Sequence, residues 1–176
     1  MDLALRDGPY IDASAVAGVL AEVAEIASET LELKDVFGRV ANSIRRILPF
    51  DHMGVIRIVE GQWAVKHATT LDCAASEPPC AQPCPLTNWS PRLRPRAGPI
   101  DRIDDAPLEL DPGFPGDAAI LDSGVRSTMW EPFRIGDSFQ GGVWLCSKQP
   151  SAFSDDHQLA LRPIAAAASA SIGSRR

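Results

Sequence analysis

No stretch of this 176-residue chain approaches the ~20 apolar residues that a membrane-crossing helix requires. The N-terminus, Met1-Asp2-Leu3-Ala4-Leu5-Arg6-Asp7, lacks the basic-then-apolar layout of a secretory signal. A cytoplasmic location is the expectation. Cysteine is scarce, with four residues, and in a cytosolic chain of this size that argues against a disulfide scaffold. Positive charge is short too: 17 Lys and Arg face 23 Asp and Glu, a net charge of −6. Non-specific nucleic-acid binding wants a basic face, so direct nucleic-acid contact is not expected. There is no Gly-rich phosphate loop, no HExxH and no G-x-S-x-G. Ser, His and Asp occur, but nothing in their spacing predicts convergence, so no catalytic residue is assigned.

What is present suits a single domain with a real core, since 45% of residues are apolar and 23% charged. Most of the fifteen prolines fall between Pro78 and Pro112, which marks that region as loop-rich. Residues 1–12 read as a tail. In Ala13 to Glu32, Val16, Val19, Leu20, Val23 and Ile26 recur at helical steps, with Asp12 or Ser14 as N-cap. A second helix is expected from Leu33 to about Leu48, ended by Pro49. Met53–Glu60 and Trp63–Thr69 read as strands around a Gly61-Gln62 turn. Leu86–Leu93 suggests one short helix, Gly98–Ile103 a short strand and Asp117–Ser123 another helix.

The last third is the most regular part. Ser127–Ile135 and Phe139–Cys146 read as strands joined at Gly136-Asp137. Gly124 stops the helix before them. Ser154 caps a final Ala-rich helix whose first turn carries Asp155 and Asp156. Leu159, Leu161, Ile164, Ala165 and Ala168 are its expected apolar positions, and Pro163 should kink or delay it.

This succession of glycine-ended helix, Glu131-Pro132-Phe133 strand, Gly141-Gly142 return strand, Phe153-Ser154 and terminal helix resembles the second half of a GAF domain. The resemblance extends over roughly Leu20 to Ile172, and the order of elements is its specific part. It implies an α+β fold. A central antiparallel sheet of five or six strands carries the N- and C-terminal helices on one face and loops or short helices over the other. The domain would span residues 13–176, with entry helices at 13–48, sheet and pocket loops at 52–148 and the final helix at 154–173. By the same resemblance the chain is a regulatory small-ligand sensor of a bacterial signalling or transcription-regulatory protein rather than an enzyme. It would be cut from a longer parent chain with an output domain. It would form a homodimer through the terminal helices, an expectation strengthened by the stripe Val16, Val19, Val23 and Ile26.

Candidate ligand contacts follow from residue chemistry. Trp130 and Trp144 should be neighbours across the last hairpin, either as core or as a wall that stacks a flat ligand. Trp63 and His67 share an alternation set on their strand. Arg57, in an apolar strand, and Arg126, just past Gly124, suit carboxylate or phosphate, with Glu131 an acidic option nearby; surface ion pairs are the plain alternative. Cys73, Cys80 and Cys84, spaced C-x6-C-x3-C, lack the knuckles of a zinc site. No metal is assigned. They define the competing reading, a thiol redox sensor or an enzyme like the GAF proteins that reduce methionine sulfoxide. Haem is disfavoured because a lone His more often has a structural role. Bilin is disfavoured because no Cys-His pair exists. The ligand itself is not legible, and its cofactor status stays unknown.

Overall fold

The computed structural model describes residues 11–28, 33–69, 83–95, 102–135 and 137–173. Helix α1 (Ala13–Ser28) starts where expected. The Asp12 carboxylate accepts the Ser14 N–H at 3.1 Å, and the Asp12 carbonyl accepts the Val16 N–H, which makes Asp12 the N-cap. Helix α2 (Leu33–Ile44) ends four residues before the expected Leu48. The N–H groups of Arg46 and Ile47 turn to the carbonyls of Ser43 and Ile44, three residues back, so the last turn tightens before Pro49.

Six strands follow: β1 (His52–Val59), β2 (Trp63–Thr69), β3 (Cys84–Pro85), β4 (Arg102–Ile103), β5 (Ser127–Ile135) and β6 (Ser138–Ser147). They form one sheet in the order β3-β2-β1-β6-β5-β4, antiparallel throughout. A 3-10 turn at Leu86–Asn88 and helices α3 (Ala106–Glu109) and α4 (Pro115–Asp122) lie between the strands, and α5 (Asp155–Gly173) closes the chain. The β1–β2 turn centres on Glu60 and Gly61, both at positive φ, one residue earlier than the sequence suggests. Gly124, at φ +75°, ends α4 as expected.

Side chains alternate between the two faces of the sheet. One face carries Met53, Val55, Met129, Phe133, Val143 and Leu145, and α1, α2 and α5 pack on it to form the main core. The stripe Val19, Val23 and Ile26 is spent there, with Val16 and Leu20 packed against it, so it gives no independent argument for a dimer. Among the described side chains of α5 the buried positions are His157, Ala160, Leu161, Ile164 and Ala165, and Ala168 lies outside them. Leu159 is 60% exposed, contrary to expectation, because it lies ~200° of helical rotation from Leu161. The helix runs on through Pro163. No described helix is long and apolar enough to cross a membrane.

Candidate functional site

The opposite face of the sheet is covered by the short elements. At one end, Ile58, Ala64, Cys84 and Trp89 form an apolar cluster joined by Ile56, Leu93 and Phe139. At the other end, Ile103, Ala106 and Leu110 form a second, joined by Leu93, Ile120 and Leu121. Leu93 bridges the two. Between them lie the indoles of Trp130 and Trp144, which are directly paired across β5 and β6. Both are half-buried.

Glycines shape this stretch. Gly54 faces Trp144 from β1, so a bare backbone flanks that indole. A Cβ on Gly142 would stand 2.5 Å from both the Trp130 ring and the Glu131 carbonyl, so the Trp130 indole lies across a position that only glycine fits. Gly141 has φ +145° and would drive a Cβ into the Ile56 carbonyl at 2.0 Å. The register slips here, with Phe133 opposite Gly141 but Arg134 opposite Phe139. The bulge at Gln140 re-aims Phe139 toward Trp89, onto the covered face.

Ion pairs and buried carboxylates hold the cover in place. Asp117 is fully buried and accepts the N–H groups of Ser90, at 3.0 Å, and Asp111, at 3.1 Å. Gly116 lets Trp89 lie against α4, where a Cβ would be 2.3 Å from the ring. Arg94 donates to the carbonyls of Leu86 and Trp89. Glu109 takes Arg92 at 2.6 Å and the N–H groups of Asp104 and Asp105. Burial works to raise the Glu109 pKa, but these donors prevail and hold it below the usual glutamate value. Arg102 pairs with Asp155 at 2.5 Å, and Asp104 accepts the Ser151 N–H, so the cover is tied to the start of α5.

The other sequence candidates scatter. Arg126 grips Asp105 through two bonds, at 2.7 and 2.8 Å, which hold the Asp105 carboxyl below its ordinary value. Its guanidinium is thus committed to a lid contact. Arg57 is exposed, and by alternation it follows Met53 and Val55 onto the helix face, beyond the helices. Trp63 pairs with Val59 on that same face, each 38% exposed. Glu131 points beneath α5, not toward Trp130 and Trp144, because it is one residue out of phase with Trp130. A bulge between Val55 and Ile56 places His67 between the Lys66 and Ala68 pairings. Cys84 is buried on β3, unlike the accessible thiol a redox role needs. Cys73 and Cys80 lie outside the described residues. Burial pushes the Cys146 thiol well up.

His157, in the first turn of α5, is buried. Its Nδ1 accepts the Ser154 N–H at 3.0 Å while its own N–H reaches the Ser154 hydroxyl at 3.3 Å, a reciprocal cap with histidine in the place of glutamate. The sequence points to Ser154 as the cap but not to its partner. Asp117, Glu109 and Arg102 have no sequence signal either, because their partners lie in separate loops.

No family model and no curated protein sequence matches this chain. Solved structures do match in fold. The GAF domain of a phosphoenolpyruvate-protein phosphotransferase from Coxiella burnetii superposes with a TM-score of 0.67 at 14% identity, over 92% of this chain and 95% of that one. The phycocyanobilin-bound GAF domain of a cyanobacterial phytochrome gives 0.64 at 15% identity, over 90% and 92%. The nlh2 GAF domain of A. aeolicus, in an inactive state, gives 0.65 at 13% identity, over 93% and 98%. Its six-stranded antiparallel sheet, with terminal helices on one face and a pinned cover on the other, gives this chain the GAF fold.

Proposed function

We propose that this chain is a regulatory small-ligand sensor. A flat ligand would be held against Trp130 and Trp144, and its presence reported through the terminal helices. One observation carries the reading: two half-buried indoles are paired across β5 and β6, on the covered face between two anchored apolar clusters. Half-buried aromatic faces are suited to stacking a planar molecule. The fold accommodates such a role, since the phytochrome relative is bound to phycocyanobilin. This chain has no Cys-His pair, so covalent bilin attachment is not part of the proposal. Residues 13–176 would form one module feeding an output domain of a bacterial signalling or transcription-regulatory protein. Dimerisation would use faces of α1 and α5 other than the buried stripe. The thiol-redox alternative gains no support from Cys84, which is buried.

Native mass spectrometry of the purified chain tests this, alongside titration of tryptophan emission with planar probes: cyclic GMP, flavin mononucleotide and indole. The expected result is a non-covalent adduct, or saturable quenching by one probe, that Trp144→Ala abolishes. An adduct-free protein that no probe quenches, or binding indifferent to Trp130→Ala and Trp144→Ala, overturns it.

A further inference from the structure

Glu131 is a buried carboxylate that the ligand face does not use. Its exposure is 4%, and it lies between β5 and α5. One oxygen, Oε1, accepts from Arg162 Nε at 3.4 Å. Charge-assisted bonds of this kind ordinarily close to ~2.7–2.9 Å, so the pairing is slack. The Arg162 side chain is 60% exposed and reaches in from solvent. The other oxygen, Oε2, is buried with no partner. Gln158 lies one turn before Arg162 on α5, on the same helical face. Its Nε2 is also buried with no acceptor. A buried acceptor on the strand and a buried donor on the helix, one turn from the arginine that reaches that acceptor's carboxylate, both go unused. Buried polar groups in native proteins are nearly always paired, and each unmade bond disfavours the arrangement that leaves it so.

The helix is also loosened at this point. Pro163 has no N–H to give the Leu159 carbonyl, so the ladder of α5 lacks a rung beside Arg162. Meanwhile Trp130 and Glu131 are consecutive on β5, so one side chain stands on the ligand face while the next stands under α5. The Trp130 ring lies over Gly142, where an added Cβ would meet both that ring and the Glu131 carbonyl. An indole displaced by a ligand therefore presses on the backbone that carries Glu131.

We propose that Glu131 is a latch with two seats for α5, one held by Arg162 and one held by Gln158, and that occupancy of the Trp130–Trp144 face selects between them. In the described arrangement Arg162 holds the carboxylate. In the second, a shift of α5 about Pro163 brings the Gln158 amide to Oε2 and releases Arg162 to solvent. The regulatory part rests on the ligand-sensing reading above; the two seats do not. A ligand moves such an equilibrium only by favouring one seat, and the coupling is reciprocal, so altering the latch must change the surroundings of Trp130.

The test uses the full chain labelled with fluorotryptophan, with the four indole signals assigned by single Trp→Phe variants. Arg162→Met removes the partner of the first seat, and Gln158→Leu that of the second. Neither change removes a fully buried side chain, so both variants should fold. The expected result is that they move the Trp130 fluorine resonance in opposite directions, leave Trp63 in place, and change hydrogen exchange in α5 in opposite senses. Equal shifts in the same direction, or no shift at Trp130, overturn the latch. If Trp144→Ala abolishes ligand binding while Trp130 is blind to both α5 variants, the latch fails and sensing stands. If no ligand binds but Trp130 answers both variants, the two-seat latch stands and the sensor reading fails.

Discussion

The cap between Ser154 and His157 makes the start of α5 sensitive to pH. Because Nδ1 accepts a backbone N–H, the imidazole must be unprotonated for the cap to close. Burial, opposed by Asp156 and assisted by Arg102, lowers the His157 pKa below its ordinary 6.5. The sign follows from linkage. The unfolded chain binds the proton more readily, so the contribution is complete above pH 6.5 and is lost as pH falls through the lower folded value. Protonation would also place a positive charge at the positive end of α5. A cap of this kind contributes about 1 kcal/mol, which in a chain of this size corresponds to roughly 2–4 °C in melting temperature. The informative variant is His157→Gln, since glutamine keeps an acceptor at this position of the capping box but does not titrate. Melting temperatures of the two proteins should lie close together near pH ~7.5 and separate by roughly 2–4 °C near pH ~5, with the native chain the lower. His52, also depressed by burial, is common to both and cancels. Parallel melting curves across that range would show that Nδ1 does not close the cap.

Two further outcomes test the covered face. Gly142→Ala should lower stability by about 1–3 kcal/mol in chemical denaturation, because the added carbon meets the Trp130 ring and the Glu131 carbonyl. Gly38→Ala, in α2 with open space around it, should instead be neutral or stabilising, and equal effects at the two sites would refute the close approach. Asp117→Ala leaves the buried Ser90 N–H without its acceptor, at roughly 1–3 kcal/mol, and releases the more exposed Asp111 N–H to water; a total loss below about 1 kcal/mol would show that Asp117 does not pin the cover.

Periodicity carried much of the architecture. The α1 stripe, the Gly124 stop and the Ile135–Ser138 pairing all follow from local pattern, because each depends on residues adjacent in sequence or across one tight turn. The site is less legible, because its identity turns on parity. Trp130 and Glu131 differ by one position and face opposite ways, and Arg57 and Trp63 fall on the helix side for the same reason. Bulges reset that parity: one beside His67 and another at Gln140, which carries Phe139 over to the covered face. Only the Gly141-Gly142 pair hints at the second. Arg126 illustrates a different obstacle. Its chemistry suits an anion, but the anion is Asp105, 21 residues away in a Pro-rich loop.

The arginines sort the two faces by task. On the covered side Arg92, Arg94 and Arg126 each bond a carboxylate or carbonyl of the short elements, while Arg102, on the β4 edge, pairs with Asp155 in the first turn of α5. Exposed or half-exposed pairs of this type contribute little stability individually. Their consequence is geometric: the cover cannot shift at Asp104 or Arg102 without moving Ser151 and Asp155. On the helix side Arg162 reaches the buried Glu131 carboxylate only loosely and leaves half of it unpaired. The cover is thus tied firmly to the N-terminal end of α5, while the middle of that helix is held slackly. A disturbance at Trp130 therefore meets least resistance at the turn between Gln158 and Pro163, and motion should concentrate there rather than at the Ser154 cap.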